Sequence, residues 1–222
     1  MFYFRFMKCL KTIFLIVLAV FLYGCKKDKV ETKNQEPTVA KDTIIELSTS
    51  FGNMYIYLYK ATPLHRTNII KLAKEGFYDG TTFHRNILNF MIQGGDPNSK
   101  DNDSLNDGSG GPGYTIPNEI RDSIKHDRGC LAAARLGDNL NPERESSGSQ
   151  FYICLSKSGT AHLNNLYTVY GYVMKGMEVA DAIVRQKKDA NDRPLTDIKM
   201  QMKIILKTTE EIKTEYNYTP KY

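Results

Sequence analysis

Apolar and polar residues alternate in several short runs of this chain. Thr43-Ile44-Ile45-Glu46-Leu47 leads through Phe51-Gly52-Asn53 into Met54-Tyr55-Ile56-Tyr57-Leu58-Tyr59, where Met54, Ile56 and Leu58 share one parity and three tyrosines the other. Residues two apart in a strand lie on one face, so this pattern predicts a hairpin with an amphipathic outer face. Thr62-Pro63 then reads as the N-cap and first residue of a helix, with Ile69, Leu72 and Ala73 as its apolar stripe and Gly76 as its stop. A second, shorter helix is predicted over residues 178–186, where Val179, Ala182 and Ile183 fall at helical spacing. Residues 198–208 place Met200, Met202, Ile204 and Leu206 on one parity and read as a closing strand. Between these lie short apolar runs and glycine-rich loops, with no internal repeat. Many short strands and helices near opposite ends predict a mainly β fold, a closed antiparallel barrel capped by two α-helices; the pattern alone does not separate it from a sandwich.

Residues 83–96, Phe-His-Arg-Asn-Ile-Leu-Asn-Phe-Met-Ile-Gln-Gly-Gly-Asp, read as one strand. Arg85, Met91 and Gln93 share parity, so one face carries a fixed cation, a soft apolar surface and a hydrogen-bonding amide. Such a face suits a peptide. Gly148-Ser149-Gln150-Phe151-Tyr152-Ile153 repeats the theme, with Gln150 and Tyr152 on one parity.

The N-terminus changes the meaning of the charge. Arg5, Lys8 and Lys11 precede an apolar run over residues 12–22, and no acidic residue occurs before Asp28. That is the order of a secretory signal, too short in its apolar part for a comfortable membrane-spanning helix. Its end, Leu22-Tyr23-Gly24-Cys25, resembles a bacterial lipoprotein signal, which implies lipidation of Cys25 as the first mature residue. Removing residues 1–24 lowers the net charge by three, from +5 to +2, and nucleic acid is then not indicated. Residues 25–41 are polar and read as a flexible tether, about 55 Å long when fully extended. The expected setting is an exported chain, lipid-anchored to a bacterial cell membrane, with its domain over residues 42–209 facing the periplasm.

Two cysteines then belong to the domain. Cys130 and Cys154 sit in apolar runs and read as buried free thiols in preference to a disulfide. His65, His84, His126 and His162 are scattered singly, without metal-ligand spacing, so no metal and no cofactor are expected. Gly108-Ser109-Gly110-Gly111-Pro112-Gly113 lacks the Gly-Lys-Ser/Thr ending of a phosphate loop and is not read as one.

The joint spacing of Phe-His-Arg, Phe-Met-x-Gln-Gly-Gly-Asp and Gly-Ser-Gln-Phe-Tyr-Ile resembles the cyclophilin family of peptidyl-prolyl isomerases. The resemblance spans the domain and implies a cyclophilin-like barrel that accelerates rotation about X-Pro bonds in exported or unfolded proteins. It also implies roles. Arg85 would donate to the prolyl nitrogen, while Phe90, Met91, Tyr152 and Leu163 wall the ring. Gln93 and Gln150 would hold the guanidinium or the substrate backbone, and Ala134 and Arg135 match the segment that binds the residue before proline. The glycine-rich loop would line the groove beside the pocket. Arginine suits the reaction because the barrier, about 18–20 kcal/mol, comes from amide resonance, and twisting leaves a lone pair on nitrogen that a permanently protonated donor stabilises.

Departures from the family pattern are also legible. His162 stands where animal relatives commonly place tryptophan, and Tyr167 where they place a pocket histidine. A polar loop over residues 137–147 is longer than the link many relatives use, and residues 210–222 read as an appendage without a family counterpart. His84, of opposite parity to Arg85, reads as a packed, hydrogen-bonded residue. The expected partners are proline-containing peptides and unfolded proteins, bound by a monomer. The competing reading is a module that binds proline segments without turning them over.

Overall fold

The computed structural model describes residues 40–101 and 103–222. The signal, Cys25 and nearly all of the tether lie outside the described residues. The chain runs β1 (Lys41–Thr49), β2 (Gly52–Leu58), α1 (Pro63–Lys74), β3 (Phe83–Ile87), β4 (Met91–Gly94), β5 (Thr115–Ile116), β6 (Cys130–Ala133), β7 (Ser146–Ser147), β8 (Phe151–Cys154), β9 (Val169–Lys175), α2 (Met177–Val184), β10 (Met200–Thr208) and α3 (Thr209–Tyr216). Eight strands form one antiparallel sheet in the order β10-β1-β2-β9-β6-β8-β4-β3, and β5 pairs with β7 apart from it. Among the described residues no helix is long and apolar enough to cross a membrane.

The sheet curls far enough for its edges to meet. They meet through a short bridge, however, and not through a full ladder: Met200 N–H donates to Thr81 O (2.8 Å), Gly80 N–H to Met200 O (2.9 Å) and Phe83 N–H to Ile198 O (3.1 Å). The barrel expected to be closed is thus a curled sheet drawn together at one end. Its inner face buries Ile45, Leu47, Ile56, Leu58, Phe83, Ile92, Phe151 and Ile153 with Ile69 and Leu72 of α1 and Ala180 and Ile183 of α2. Gly176 starts α2 at φ 97°, and a Cβ there would fall 2.3 Å from Asn53 O, so the turn from β9 into the helix requires glycine.

Thr62 does occupy the N-cap of α1, but its side chain makes no capping bond. The cap comes from far along the chain. The Glu119 carboxylate accepts from the backbone N–H groups of Leu64 (3.1 Å) and His65 (2.9 Å) and from His65 Nδ1 (2.7 Å).

Three further expectations are corrected. Residues 83–96 are not one strand but a hairpin, turned at Leu88-Asn89-Phe90 with Asn89 at φ 58°, a conformation asparagine tolerates better than most residues. The third helix is absent from the two-helix expectation because it lies in the tail, which is docked rather than appended. Ile212 is fully buried, and Tyr216, Tyr218 and Tyr222 pack against Tyr55, Tyr57 and Tyr59 at centroid distances of 5.1, 5.5 and 5.2 Å. Finally, the sheet's outer face is itself a second apolar layer, in which Ile44, Tyr57, Met91, Ala132, Tyr152, Cys154 and Val169 cluster. The tail covers one part of that layer; loops frame a cavity over the other.

Candidate active site

The strand register assembles the site. Arg85 on β3 lies opposite Gln93 on β4, Gln93 opposite Tyr152 on β8, and Tyr152 opposite Ala132 on β6. One row across four strands therefore sets the cation, the amide and the phenol side by side on the outer face. One step along, Met91 lies opposite Ile87 and Cys154.

These side chains open onto a cavity of about 220 Å³ lined by Arg85, Phe90, Met91, Gln93 and Tyr152, closed on its far side by Ala134, Arg135, Leu163 and Tyr167. Met91 and Tyr152 are buried, and Phe90 is half-buried with the His162 ring 5.8 Å from its own. Tyr167 meets Tyr152 edge-on at 6.0 Å. The cavity is a cup with aromatic and aliphatic walls formed by Phe90, Met91, Tyr152, Leu163 and Tyr167, with polar groups and two cations, Arg85 and Arg135, around them. Arg85 is exposed, and among the described residues its guanidinium has no ion-pair or hydrogen-bond partner.

Gln150 lies outside this cup, on an adjoining groove of about 780 Å³ that shares Gln93, Ala134 and Arg135 with it. The Gln150 amide nitrogen donates to Gly108 O (2.9 Å) and Gly110 O (2.8 Å), so the glycine-rich loop lines this groove. Two carbonyl acceptors fix which end of that amide is nitrogen. Its oxygen in turn accepts from Gln93 Nε2 at 3.1 Å. Gln93 thus grips Gln150, not the Arg85 guanidinium, and its own oxygen is left free of protein donors among the described residues. Gly95, at φ 88°, supports this corner, since a Cβ there would lie 2.5 Å from Ser149 O.

Arg135 is tied down. Its guanidinium carbon sits 4.5 Å over the Tyr167 ring, Nε donates to Leu166 O (2.9 Å), Nη1 donates to Leu136 O (2.9 Å) and also pairs with Asp138 at 2.6 Å. Asp138 bridges on to Arg144, and the two hydrogen-bonded guanidinium groups hold its carboxyl below the usual range. The 137–147 loop is pinned to the pocket wall in this way. The backbone N–H and C=O of Arg135 make no hydrogen bond to protein among the described residues, and Arg135 lines both cup and groove.

His126 was not singled out by the sequence. Its Nε2 lies 3.0 Å from the Tyr152 hydroxyl, its Nδ1 3.1 Å from Asn164 Oδ1, and its ring edge-on to Tyr167 at 6.5 Å. Its pocket neighbours lie 26 and 38 residues away, a proximity that spacing does not reveal. His84 is buried as expected, but among the described residues neither ring nitrogen finds a protein partner. Burial lowers its pKa. Cys130 and Cys154 are free and buried, Cys154 Sγ lying 3.3 Å from Thr160 Oγ1. Among the described residues no group of three or more His, Cys, Asp or Glu could hold a metal ion.

Comparison with known proteins places the chain in a family. Residues 44–204 match the family described as "Cyclophilin type peptidyl-prolyl cis-trans isomerase/CLD". The chain is 40% identical over 161 residues to peptidyl-prolyl cis-trans isomerase CYP18-1 of Arabidopsis thaliana, covering 70% of this chain and 91% of that one. It is 37% identical over 153 residues to a peptidyl-prolyl cis-trans isomerase of Helicobacter pylori, covering 67% and 85%. A crystal structure of a Cryptosporidium parvum cyclophilin type peptidyl-prolyl cis-trans isomerase, in the presence of the dipeptide Ala-Pro, superposes with a TM-score of 0.64 at 28% identity, covering 74% of this chain and 99% of that one. With the fold, the cup and these likenesses in agreement, the chain belongs to the cyclophilin-type peptidyl-prolyl cis-trans isomerases.

Proposed function

We propose that the cup binds the pyrrolidine ring of an X-Pro segment and that Arg85 lowers the rotation barrier by donating to the prolyl nitrogen as the amide twists. The observation that carries this reading is a guanidinium, without a protein partner among the described residues, beside a cavity walled by Phe90, Met91, Tyr152, Leu163 and Tyr167. A cation committed to a carboxylate would have to break that pair first; this one is ready before substrate arrives. Phe90, Met91, Tyr152, Leu163 and Tyr167 exclude water from the ring, so the donor acts where electrostatics are strong. The unpaired backbone groups of Arg135 and the oxygen of Gln93 fix the peptide on either side of the bond, Ala134 leaving room between them. Gln150 steadies Gln93. No nucleophile and no proton transfer are needed, since the reaction returns the same covalent bonds it starts with.

The setting is part of the proposal. Residues 1–24 form a lipoprotein signal, Cys25 carries the lipid, residues 25–40 are the tether, since Lys41 already belongs to β1, and a monomeric domain works on exported or unfolded proteins outside the cytoplasm. The basic, apolar, small-residue order ending at Cys25 supports this. Mass spectrometry of the native N-terminus tests it, an unmodified cysteine being the contrary result.

A protease-coupled assay with a proline tetrapeptide tests the chemistry. Arg85→Ala is expected to lower kcat/KM about 10²- to 10³-fold, the weight of one transition-state donor, while peptide binding persists. Equal rates for both proteins would identify a binding module instead.

A further inference from the structure

Two segments that wall the cup, β8 and the loop bearing Leu163 and Tyr167, converge on one imidazole. Asn164 Oδ1 accepts the His126 backbone N–H at 2.8 Å, a group that can only donate, so the atom is an oxygen. The same oxygen lies 3.1 Å from His126 Nδ1, which must therefore carry the ring proton. Nε2 is left with a lone pair, and the Tyr152 hydroxyl donates to it across 3.0 Å. Asn164 adjoins Leu163, and the loop bearing Leu163 and Tyr167 is anchored again by Thr160 N–H donating to His126 O at 2.8 Å.

We propose that His126 is a positioning residue for the isomerisation: its singly protonated ring holds the Tyr152 wall through Nε2 and the Leu163–Tyr167 wall through Asn164, so that both walls of the cup take their place from one side chain. The proposal rests on the reading that the cup binds proline. His126 does not touch the substrate; it acts through Tyr152 and Asn164.

A second proton on this ring would turn Nε2 from acceptor into donor, reversing its bond to the Tyr152 hydroxyl, leaving the phenol hydrogen without an acceptor among the described residues and placing a charge in a desolvated site. The groups facing it are Tyr152 from β8, Asn164, His162 and Tyr167 from the loop, and its neighbour Asp127; Arg135 lies beyond Tyr167. Burial is the main influence and lowers its pKa, the His162 ring works in the same direction, and the Asn164 bond and Asp127 only partly oppose them. Hydrating that charge would part Tyr152 from the Leu163–Tyr167 loop, the two elements packed on the ring, and widen the cup.

The test measures kcat and KM separately for a proline tetrapeptide on the full chain, from about pH 7.5 to about pH 5. Wild type is expected to show KM rising about three- to tenfold toward acid, the weight of one hydrogen bond, with kcat little changed because Arg85 stays charged. His126→Gln keeps an acceptor for Tyr152 but cannot titrate, and its KM is expected to stay flat. Tyr152→Phe is expected to show the raised KM already at neutral pH. A merely structural role would lower the melting temperature and the active fraction without moving KM. A wild-type KM that is flat with pH, or an acid rise surviving in His126→Gln, overturns the proposal. If His126→Gln does not fold, a Tyr152→Phe KM equal to wild type at neutral pH overturns it alone. A wild-type chain that turns over no proline peptide at any pH sinks the isomerase reading and this role with it.

Discussion

Glu119 illustrates how much rests on single side chains. Its carboxylate takes the place a serine or threonine usually fills at a helix start, satisfying two N–H groups of α1 and one ring nitrogen at once. Replacing it with alanine is expected to lower stability by about 1–3 kcal/mol, because buried donors lose their acceptor; urea denaturation measures this. Arg85, Met91 and Gln93 were legible in the sequence because strand alternation projects them together and the hairpin turn preserves that parity. The Glu119 cap was not, since nothing local in residues 62–65 points to a carboxylate 54 residues away. The Gln93–Gln150 bond was not legible for the same reason: parity says which face a side chain takes, not which of its neighbours it grips.

At the scale of elements, the tail matters most. Thr208 and Glu211 form a capping box, each side chain bonded to the other's backbone N–H. That Thr-x-x-Glu signature stood in the sequence and marks the start of α3. The tyrosines of β2 supply the docking surface: an outward row that looks merely amphipathic in the sequence is matched by the row descending from α3. Deleting residues 210–222 would uncover Tyr57, Tyr59 and Ile44. It is expected to lower stability by several kcal/mol, judged from burial of about 1.5–3 kcal/mol per large apolar side chain. Thermal unfolding of the truncated chain checks this, and an unchanged midpoint would show that the tail is dispensable. The bridge between Thr82 and Lys199 shows the limit of pattern reading here, since alternation predicts strands but not how far a sheet curls.

For the molecule as a whole, three buried histidines set a pH response. Burial is the leading cause that lowers the pKa of His65, His84 and His126, even where Glu119 pulls the other way on His65. An unfolded chain protonates these rings near the ordinary value of about 6.5. Below that, the unfolded state binds protons that the folded state refuses, so stability falls as pH drops from about 6.5 until the folded values are passed. The carboxylates act lower down: burial raises the pKa of Asp42, but Lys60, the Thr43 amide and Tyr57 outweigh it, so its contribution is lost only below the ordinary aspartate range. Denaturant midpoints are expected to decline between about pH 7 and about pH 5; a rise over that interval would contradict the assignment.

The strand that opens the fold lies beside the one that ends the sheet, Lys41 opposite Thr208 and Thr49 opposite Met200. A ribosome delivers these partners 151 to 167 residues apart, and closing so long a loop carries an entropic cost that nothing local repays beforehand. A nascent chain short of β10 therefore has an unzipped seam along its whole first strand. This isomerase closes the seam of its own sheet only once β10 has been synthesised.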